Sequence, residues 1–350
     1  MLNLRNYKFM TLLFVCWSPL CSAQSSAQNA IEHTYNDGPY VVYDEANQRQ
    51  FNVRHGQGVW QDVPADKQFT RTFEVALSDS YQGVDKLAAI SDIHGQVEIF
   101  KTLLRQHKVV DDNLDWRFGK GHLVITGDIF DRGDTVTEAL WLVYKLEQQA
   151  LAAGGKVHYL LGNHEYLVLR DDQRYLHPKY VYTASFFDQD LRKLFAANTV
   201  LGRWLRSKST IIKINDFVFL HGGIHQQFLD LDLSLEQAND EFRATIGLSK
   251  DALAKNPIWQ SLHSRFGPIW YRGYFRDEHL RAEDVGAILT QLNASKIIVG
   301  HTSMDEIESH HAEQVIAIDS SIKKGKKGEL LLWQDGTFWR GKMNGRVVKL

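Results

Sequence analysis

The chain has 350 residues, 44% of them hydrophobic and 23% charged, with a formal net charge of −2. This is globular composition, long enough for a large core, and the balanced charge gives no electrostatic case for nucleic acid as a partner. Its only cysteines are Cys16 and Cys21.

The N-terminus opens with Arg5 and Lys8, then the mostly apolar run from Phe9 to Leu20, then small Ser22 and Ala23 and a polar run from Gln24 to Asn29. The apolar run is short for a membrane span. The pattern predicts a signal peptide over 1–23, cleaved after Ala23, with Ala27 as the second choice. Pro19 and Leu20 stand where a lipid anchor on Cys21 would want small residues. The expected product is periplasmic or secreted, with no stable membrane anchor after cleavage; an uncleaved anchor is the competing reading. The mature chain then contains no cysteine, which excludes disulfides and any thiolate nucleophile, and with them a cysteine-dependent tyrosine phosphatase.

Residues 24 to about 85 alternate apolar and polar positions around Val41–Tyr43, Phe51–Val53 and Phe69–Val75. They predict a β-rich N-terminal extension of short strands and hairpins, packed on the main domain and carrying no evident chemistry. Residues 86–350 form the expected catalytic domain. There, strand-length apolar runs recur at Leu87–Ile90, Leu123–Thr126, Val157–Leu161, Ile211–Ile214, Phe217–Leu220, Lys296–Val299 and Val315–Ile318. A helix is predicted from Thr135, with Glu138 completing a capping box, Val136, Leu140, Val143 and Leu146 on one face, and Gly154 and Gly155 at its end. The run from Leu330 to Val348 reads as a hairpin around Asp335-Gly336, expected to pair with strands of the extension.

Five of the strands are followed by metal-competent groups: Asp92 and His94, Asp128, Asn163 with His164, His221, and His301. Ligand sites in α/β proteins gather at the carboxyl ends of strands. Asp92, His94, Asp128, Asn163, His221 and His301 form an N/O set without sulfur, suited to Mn, Zn, Fe or Co rather than Cu(I), Ca or Mg. Six ligands exceed what one catalytic ion needs, so two divalent metal ions sharing a carboxylate are expected.

The strings read Ser91-Asp-Ile-His-Gly95, Gly127-Asp-Ile-Phe-Asp-Arg-Gly133, Gly162-Asn-His-Glu165, His221-Gly-Gly223 and Gly300-His-Thr302. In this order they resemble the metallophosphoesterase superfamily. The Asp-Arg-Gly ending and the intact Gly-Asn-His-Glu resemble its phosphoprotein phosphatase (PPP) family. The leader and Trp270-Tyr-Arg-Gly273 are most similar to the Shewanella-like phosphatases, a group that includes a cold-active bacterial protein-tyrosine phosphatase. The resemblance covers residues 86–335. It implies an α/β fold: a calcineurin-like metallophosphoesterase with a central β-sandwich of two mixed sheets flanked by helices. Two departures stand out: Ser91 replaces a usual glycine, and Phe130 replaces a small aliphatic residue.

The resemblance implies that Asp92, His94 and His301 hold the first metal, Asn163 and His221 the second, and that Asp128 bridges. Arg132 and Arg272 would grip the phosphate with Asn163, and His164 would protonate the leaving oxygen, oriented by Asp131. The chemistry is coherent: a phosphate dianion repels hydroxide, and two cations with two guanidiniums offset that charge while a metal generates hydroxide near neutral pH. Other readings stay open for the supporting residues: an ion pair for Arg132, a helix cap for Asp131, a surface position for Arg272, and a loop-supporting role for Glu165. Lys323, Lys324, Lys326 and Lys327 form either a solvated turn or a rim that attracts anionic peptides.

The expected function is metal-dependent phosphomonoester hydrolysis with a metal-bound hydroxide, acting as a monomer on a phosphorylated protein or peptide, phosphotyrosine foremost. A phosphoserine or phosphothreonine phosphatase, a dinucleoside polyphosphate hydrolase and an inactive binding module on the same fold are the competing readings.

Overall fold

The computed structural model describes residues 34–45, 47–75 and 78–350. The proposed signal peptide and its cleavage sites lie outside them. Among the described residues no helix is long and apolar enough to cross a membrane.

Two six-stranded mixed sheets form the centre. In one, β5 (Lys86–Ile90), β6 (His122–Ile125) and β7 (Lys156–Tyr159) run parallel, and β13 (Glu329–Gln334), β14 (Thr337–Lys342) and β15 (Val347–Lys349) extend the sheet antiparallel from β5. The other runs in the order β11 (Glu308–His310), β12 (Val315–Ala317), β10 (Lys296–Val299), β9 (Phe217–Leu220), β8 (Ile211–Ile214) and β4 (Ser80–Tyr81). Strand alternation explains why the runs are apolar throughout. Leu87, Ala89 and Val124 point between the sheets, where they meet Ile212, Phe219, Ile298 and Leu331. Ala88, Ile90, Leu123 and Ile125 point outward into the core shared with the flanking helices.

The hairpin around Asp335-Gly336 forms as read. Its expected partnership with the extension does not: β1 (Asp37–Asp44), β2 (Asn47–Arg54) and β3 (Gln57–Asp62) make their own antiparallel sheet. Among the described residues of the extension only β4, at its end, joins a central sheet, and it lies beside β8. The expected strand Phe69–Val75 is not a strand; Phe69 and Phe73 pack instead on Val41, Tyr43, Trp141 and Tyr144. The small sheet docks through aromatic rings, with Phe51 4.8 Å from Phe187 and Tyr40 5.9 Å from Phe195 between centroids.

Its buried anchor is Asp37. The carboxylate accepts hydrogen bonds from Tyr40, Thr137 and Thr183 at 2.7–2.8 Å and lies 3.6 Å from the buried Lys179 ammonium. Thr137 and Thr183 belong to the helices Val136–Ala152 and Pro178–Ser185, so one carboxylate ties the extension to two core helices. Asp37→Ala takes a shared acceptor from three hydroxyls and a nearby carboxylate from Lys179. The expected loss is about 3–5 kcal/mol, the scale for breaking a buried ion pair, read as a lowered urea midpoint with an unchanged slope.

The helix after Thr135 also departs from expectation. It runs Val136–Ala152, but Thr135 does not cap it. The Thr135 hydroxyl donates to the Gly95 carbonyl and accepts from Val97 N at 3.1 Å, serving the neighbouring helix Val97–Gln106. Val136 N is met by the Tyr180 hydroxyl at 2.6 Å, and Glu138 pairs with Lys179 at 3.3 Å. A capping box competes with any better-placed acceptor, and here the acceptor comes from a residue 44 positions away.

Candidate metal centre

The carboxyl ends of β5, β6, β7, β9 and β10 bring the six expected ligands together, all of them buried. The turns that carry them are tight. Asp92, His94, Asp128, Asp131, Arg132 and His301 all have φ between 46° and 72°. Left-handed backbone at non-glycine residues is uncommon and concentrates at functional sites. Ser91, where the family pattern has glycine, is not among these positions. Its hydroxyl donates to Asp92 Oδ2 at 2.7 Å. Space for it comes from Gly300, where an added Cβ would lie 1.9 Å from Ser91 Oγ.

Glu165 holds two of the loops in place. Its buried carboxylate accepts from Asp128 N at 2.8 Å, Ile129 N at 2.7 Å, Gly162 N at 2.8 Å and the Tyr159 hydroxyl at 2.8 Å. It supports the loop, as one reading of the sequence had it. Gly162 is required there, because a Cβ would stand 2.3 Å from Asp128 Oδ1. Gly222 N and Gly223 N donate to the Pro268 carbonyl, which brings the segment with Trp270 and Arg272 against His221.

Each ligand imidazole is oriented by a backbone carbonyl. His94 Nδ1 donates to Phe130 O at 2.7 Å, His221 Nδ1 to Thr126 O at 2.8 Å, and His301 Nε2 to Trp270 O at 3.2 Å. The opposite nitrogen of each ring faces the cluster, the usual second-layer arrangement, and that of His301 also accepts from Arg272 Nη2 at 3.3 Å. His221 Nε2 lies 2.9 Å from Asn163 Oδ1, 3.1 Å from Asp128 Oδ2 and 3.1 Å from His301 Nδ1. Acceptor atoms about 3 Å apart are the spacing expected of neighbours around one ion with bonds of about 2.1 Å. On the other side, His94 Nε2 lies 3.6 Å from Asp92 Oδ1 and 3.7 Å from Asp128 Oδ2. Asp128 belongs to both potential metal-holding groups, one with His94 and His164 and the other with His221 and His301, the position of a bridge. The residues fit divalent metal.

The charge states agree. Burial pulls the His221 imidazole down, but the Asp128 and Asp92 carboxylates outweigh it and push it up to about 9. Burial, then His221 and Arg272, hold His301 well below the imidazole range. Burial raises Asp128, yet His221 and His164 keep it well below the usual carboxylate range. One proton shared among several acceptors marks a place built for a cation.

His301 is placed differently from the partition that the resemblance implied. Its Nδ1 joins His221 and Asp128 rather than His94, and its backbone N donates to Asp92 Oδ2 at 2.8 Å. His164 sits at the rim of the cluster, with Nε2 3.8 Å from Asp128 Oδ2 and Nδ1 2.5 Å from Asp131 Oδ2. Asp131 is buried and its other oxygen has no partner, so the carboxylate serves His164 rather than a helix end. Burial lowers the His164 pKa, but Asp128 and Asp131 together raise it. Arg132 is exposed, forms no ion pair among the described residues, and lies over Tyr175, 5.5 Å from the ring centroid. Arg272 is half-buried, not a free surface residue: it donates to the His301 carbonyl at 2.5 Å and to Thr302 Oγ1 at 3.4 Å. Lys323 and Lys327, of the basic run, face Asp319 and Asp305.

Tyr175 lies in the aromatic-rich stretch from Tyr166 to Phe187, which the sequence reads mainly as packing with some rings available to a cleft. Its ring lies 5.1 Å from His164 and its carbonyl accepts from Arg132 N at 2.9 Å, but sequence reasoning did not single it out. It also missed the three orienting carbonyls. Tyr175 lies in no motif, and a carbonyl has no side-chain signature.

A cluster of N/O groups at strand ends between two mixed sheets, with the Arg132 and Arg272 guanidiniums beside it, defines a metal-dependent phosphoesterase. The calcineurin-like phosphoesterase family model matches residues 86–304, and the chain belongs to this family. It is similar to Shewanella-like protein phosphatase 1 of Plasmodium berghei, 29% identical over 254 residues that cover 70% of this chain and 69% of that protein. Shewanella-like protein phosphatase 2 of Arabidopsis thaliana is 25% identical over 305 residues, covering 71% and 74%. The crystal structure of a cold-active protein-tyrosine phosphatase from a psychrophilic Shewanella species superposes with a TM-score of 0.85, at 39% identity, over 91% of this chain and 100% of that one.

Proposed function

We propose that this phosphatase hydrolyses phosphotyrosine in proteins or peptides, with Asp92, His94, Asp128, Asn163, His221 and His301 holding two divalent ions. The observation that carries the substrate reading is the likeness, at 39% identity across 91% of the chain, to a protein-tyrosine phosphatase. When bound, divalent ions acidify coordinated water and offset phosphate charge. The chain's own residues do the rest. Arg132, with no carboxylate partner, and Arg272 present planar donors that match phosphate oxygens. Asn163 offers its remaining amide hydrogens to the same group. His164, aligned by Asp131 and with its pKa raised by Asp128 and Asp131, delivers a proton to the departing oxygen. Exposed Tyr175 beside His164 gives a flat aromatic wall at the mouth of the site.

The native pair of metals is drawn from Mn, Zn, Fe and Co on the N/O ligand set. The leader-like N-terminus supports a periplasmic or secreted product. The substrate reading is tested by comparing kcat/KM of the metal-loaded protein on matched phosphotyrosine and phosphoserine peptides and on a dinucleoside polyphosphate. Phosphotyrosine is expected to lead; preference for either of the others overturns the reading.

A further inference from the structure

The helix that starts at the metal centre ends at a second, unassigned site. Asn163–Leu169 has Asn163 and His164 in its first turn and Arg170 at its C-terminal cap. Arg170, Arg174, Lys250, His263 and Trp270 line a cavity of about 450 Å³. Trp270 joins it to the metal centre, since its carbonyl orients His301 and its ring lies 5.7 Å from that imidazole.

The cavity is positive, and its polar groups are incompletely matched. Arg174 is paired with Asp172 at 2.7 Å, but neither Arg170 nor Lys250 forms an ion pair among the described residues. Among the described residues, Arg170 Nε is buried with no hydrogen-bond acceptor, and His263 Nδ1 is buried with no donor. The His263 tautomer follows from its neighbour. Thr245 Oγ1 spends its proton on the Phe242 carbonyl, so it accepts from His263 Nε2–H at 2.9 Å. This leaves Nδ1 as a bare acceptor. Burial, with Arg170 adding, pushes the His263 pKa down to about 3, so the ring is neutral. Buried orphan groups are costly and call for a partner.

We infer that this cavity binds an acidic side chain of the peptide substrate, its carboxylate on Arg170 and Lys250 and an adjacent peptide N–H on His263 Nδ1. An acidic residue within a peptide supplies both an acceptor for Arg170 and a donor for His263 Nδ1, and its charge matches the unpaired cations. The inference rests on the phosphopeptide reading and adds the flanking sequence to it. The spacing follows from the helix: the rise from Asn163 to Arg170 is roughly 10 Å at about 1.5 Å per residue. An extended peptide covers that in about three residues. The acidic residue therefore sits about three positions from the phosphorylated one.

The test is a set of phosphotyrosine peptides with a single Glu or Gln at each position from four before to four after the phosphorylated residue, assayed beside a small aryl phosphate. Glu about three residues away on one side is expected to raise kcat/KM about tenfold over Gln, the scale of a charge-assisted hydrogen bond. Lys250→Glu, at an exposed position, is expected to erase or reverse that preference and to leave aryl phosphate turnover unchanged. Arg170→Gln should erase it as well, but Lys250→Glu alone decides the matter if the buried change destabilises the fold. Equal rates for Glu and Gln peptides at every position, with aryl phosphate still hydrolysed, overturn the inference and leave the phosphatase reading intact. Failure to hydrolyse aryl phosphate with metal present overturns the phosphatase reading itself. A preference that survives Lys250→Glu in a folded protein shows that the acidic residue binds elsewhere.

Discussion

Asp128→Asn is expected to lose both metal ions and to lower kcat/KM for aryl phosphates by more than the 10²–10³ that removal of a single transition-state donor costs. Asp128 is the one residue common to both ligand groups, with Oδ2 3.1 Å from His221 Nε2 and 3.7 Å from His94 Nε2. Its other oxygen accepts from His164 N at 3.0 Å, so the carboxylate also fixes the start of the helix that carries Asn163. An amide keeps the shape but halves the acceptor character and removes the charge that two cations share. Metal analysis and steady-state kinetics on the folded variant check this. Retention of two tightly held ions would remove Asp128 from the bridging role.

His164→Asn is expected to act selectively. For an alkyl phosphate, whose leaving oxygen needs a proton, the loss should be on the order of 10²–10⁴. A phenolic leaving group has a pKa near ~10 or lower, so the loss for aryl phosphates should shrink as the phenol becomes more acidic. Metal content should stay unchanged, even though Nε2 lies within reach of the Asp128 and His94 cluster. Asp131→Asn should give the same pattern more weakly, because Asp131 only orients and charges the ring, 2.5 Å from Nδ1. A series of aryl phosphates of graded phenol pKa supplies the slopes. A steeper slope in the variant fits proton donation. Equal slopes, or a missing ion, would make His164 a ligand or a structural residue.

Much of this site was legible because its signals are side-chain identities at strand ends. Asp92, Asp128, Asn163, His221 and His301 each follow a short apolar run, and the runs became neighbouring strands β5, β6 and β7 of one sheet and β9 and β10 of the other. The fold of the catalytic domain followed from the same runs, with shifts of a residue or two at their ends. What the residues could not tell was pairing at long range. Thr135 and Glu138 have the local form of a capping box, yet Thr135 turns to Gly95 and Val97, and Tyr180 takes over the helix start. The extension reads as strands, but nothing in its alternation says whether they pair with each other or with the C-terminal hairpin. The three-stranded sheet is held by Asp37 and a set of aromatic contacts, visible only once folded. His301 was legible as a ligand but not as the neighbour of His221, since that depends on how Trp270 and Arg272 close over it.

The most direct test of the central claim is a titration of metal into the chelator-stripped protein, with aryl phosphate hydrolysis followed at each addition. The shared position of Asp128 predicts that stripped protein is inactive and that turnover rises to its limit only as the second equivalent binds. Full activity at one equivalent, or hydrolysis by protein free of metal, would contradict a two-ion centre.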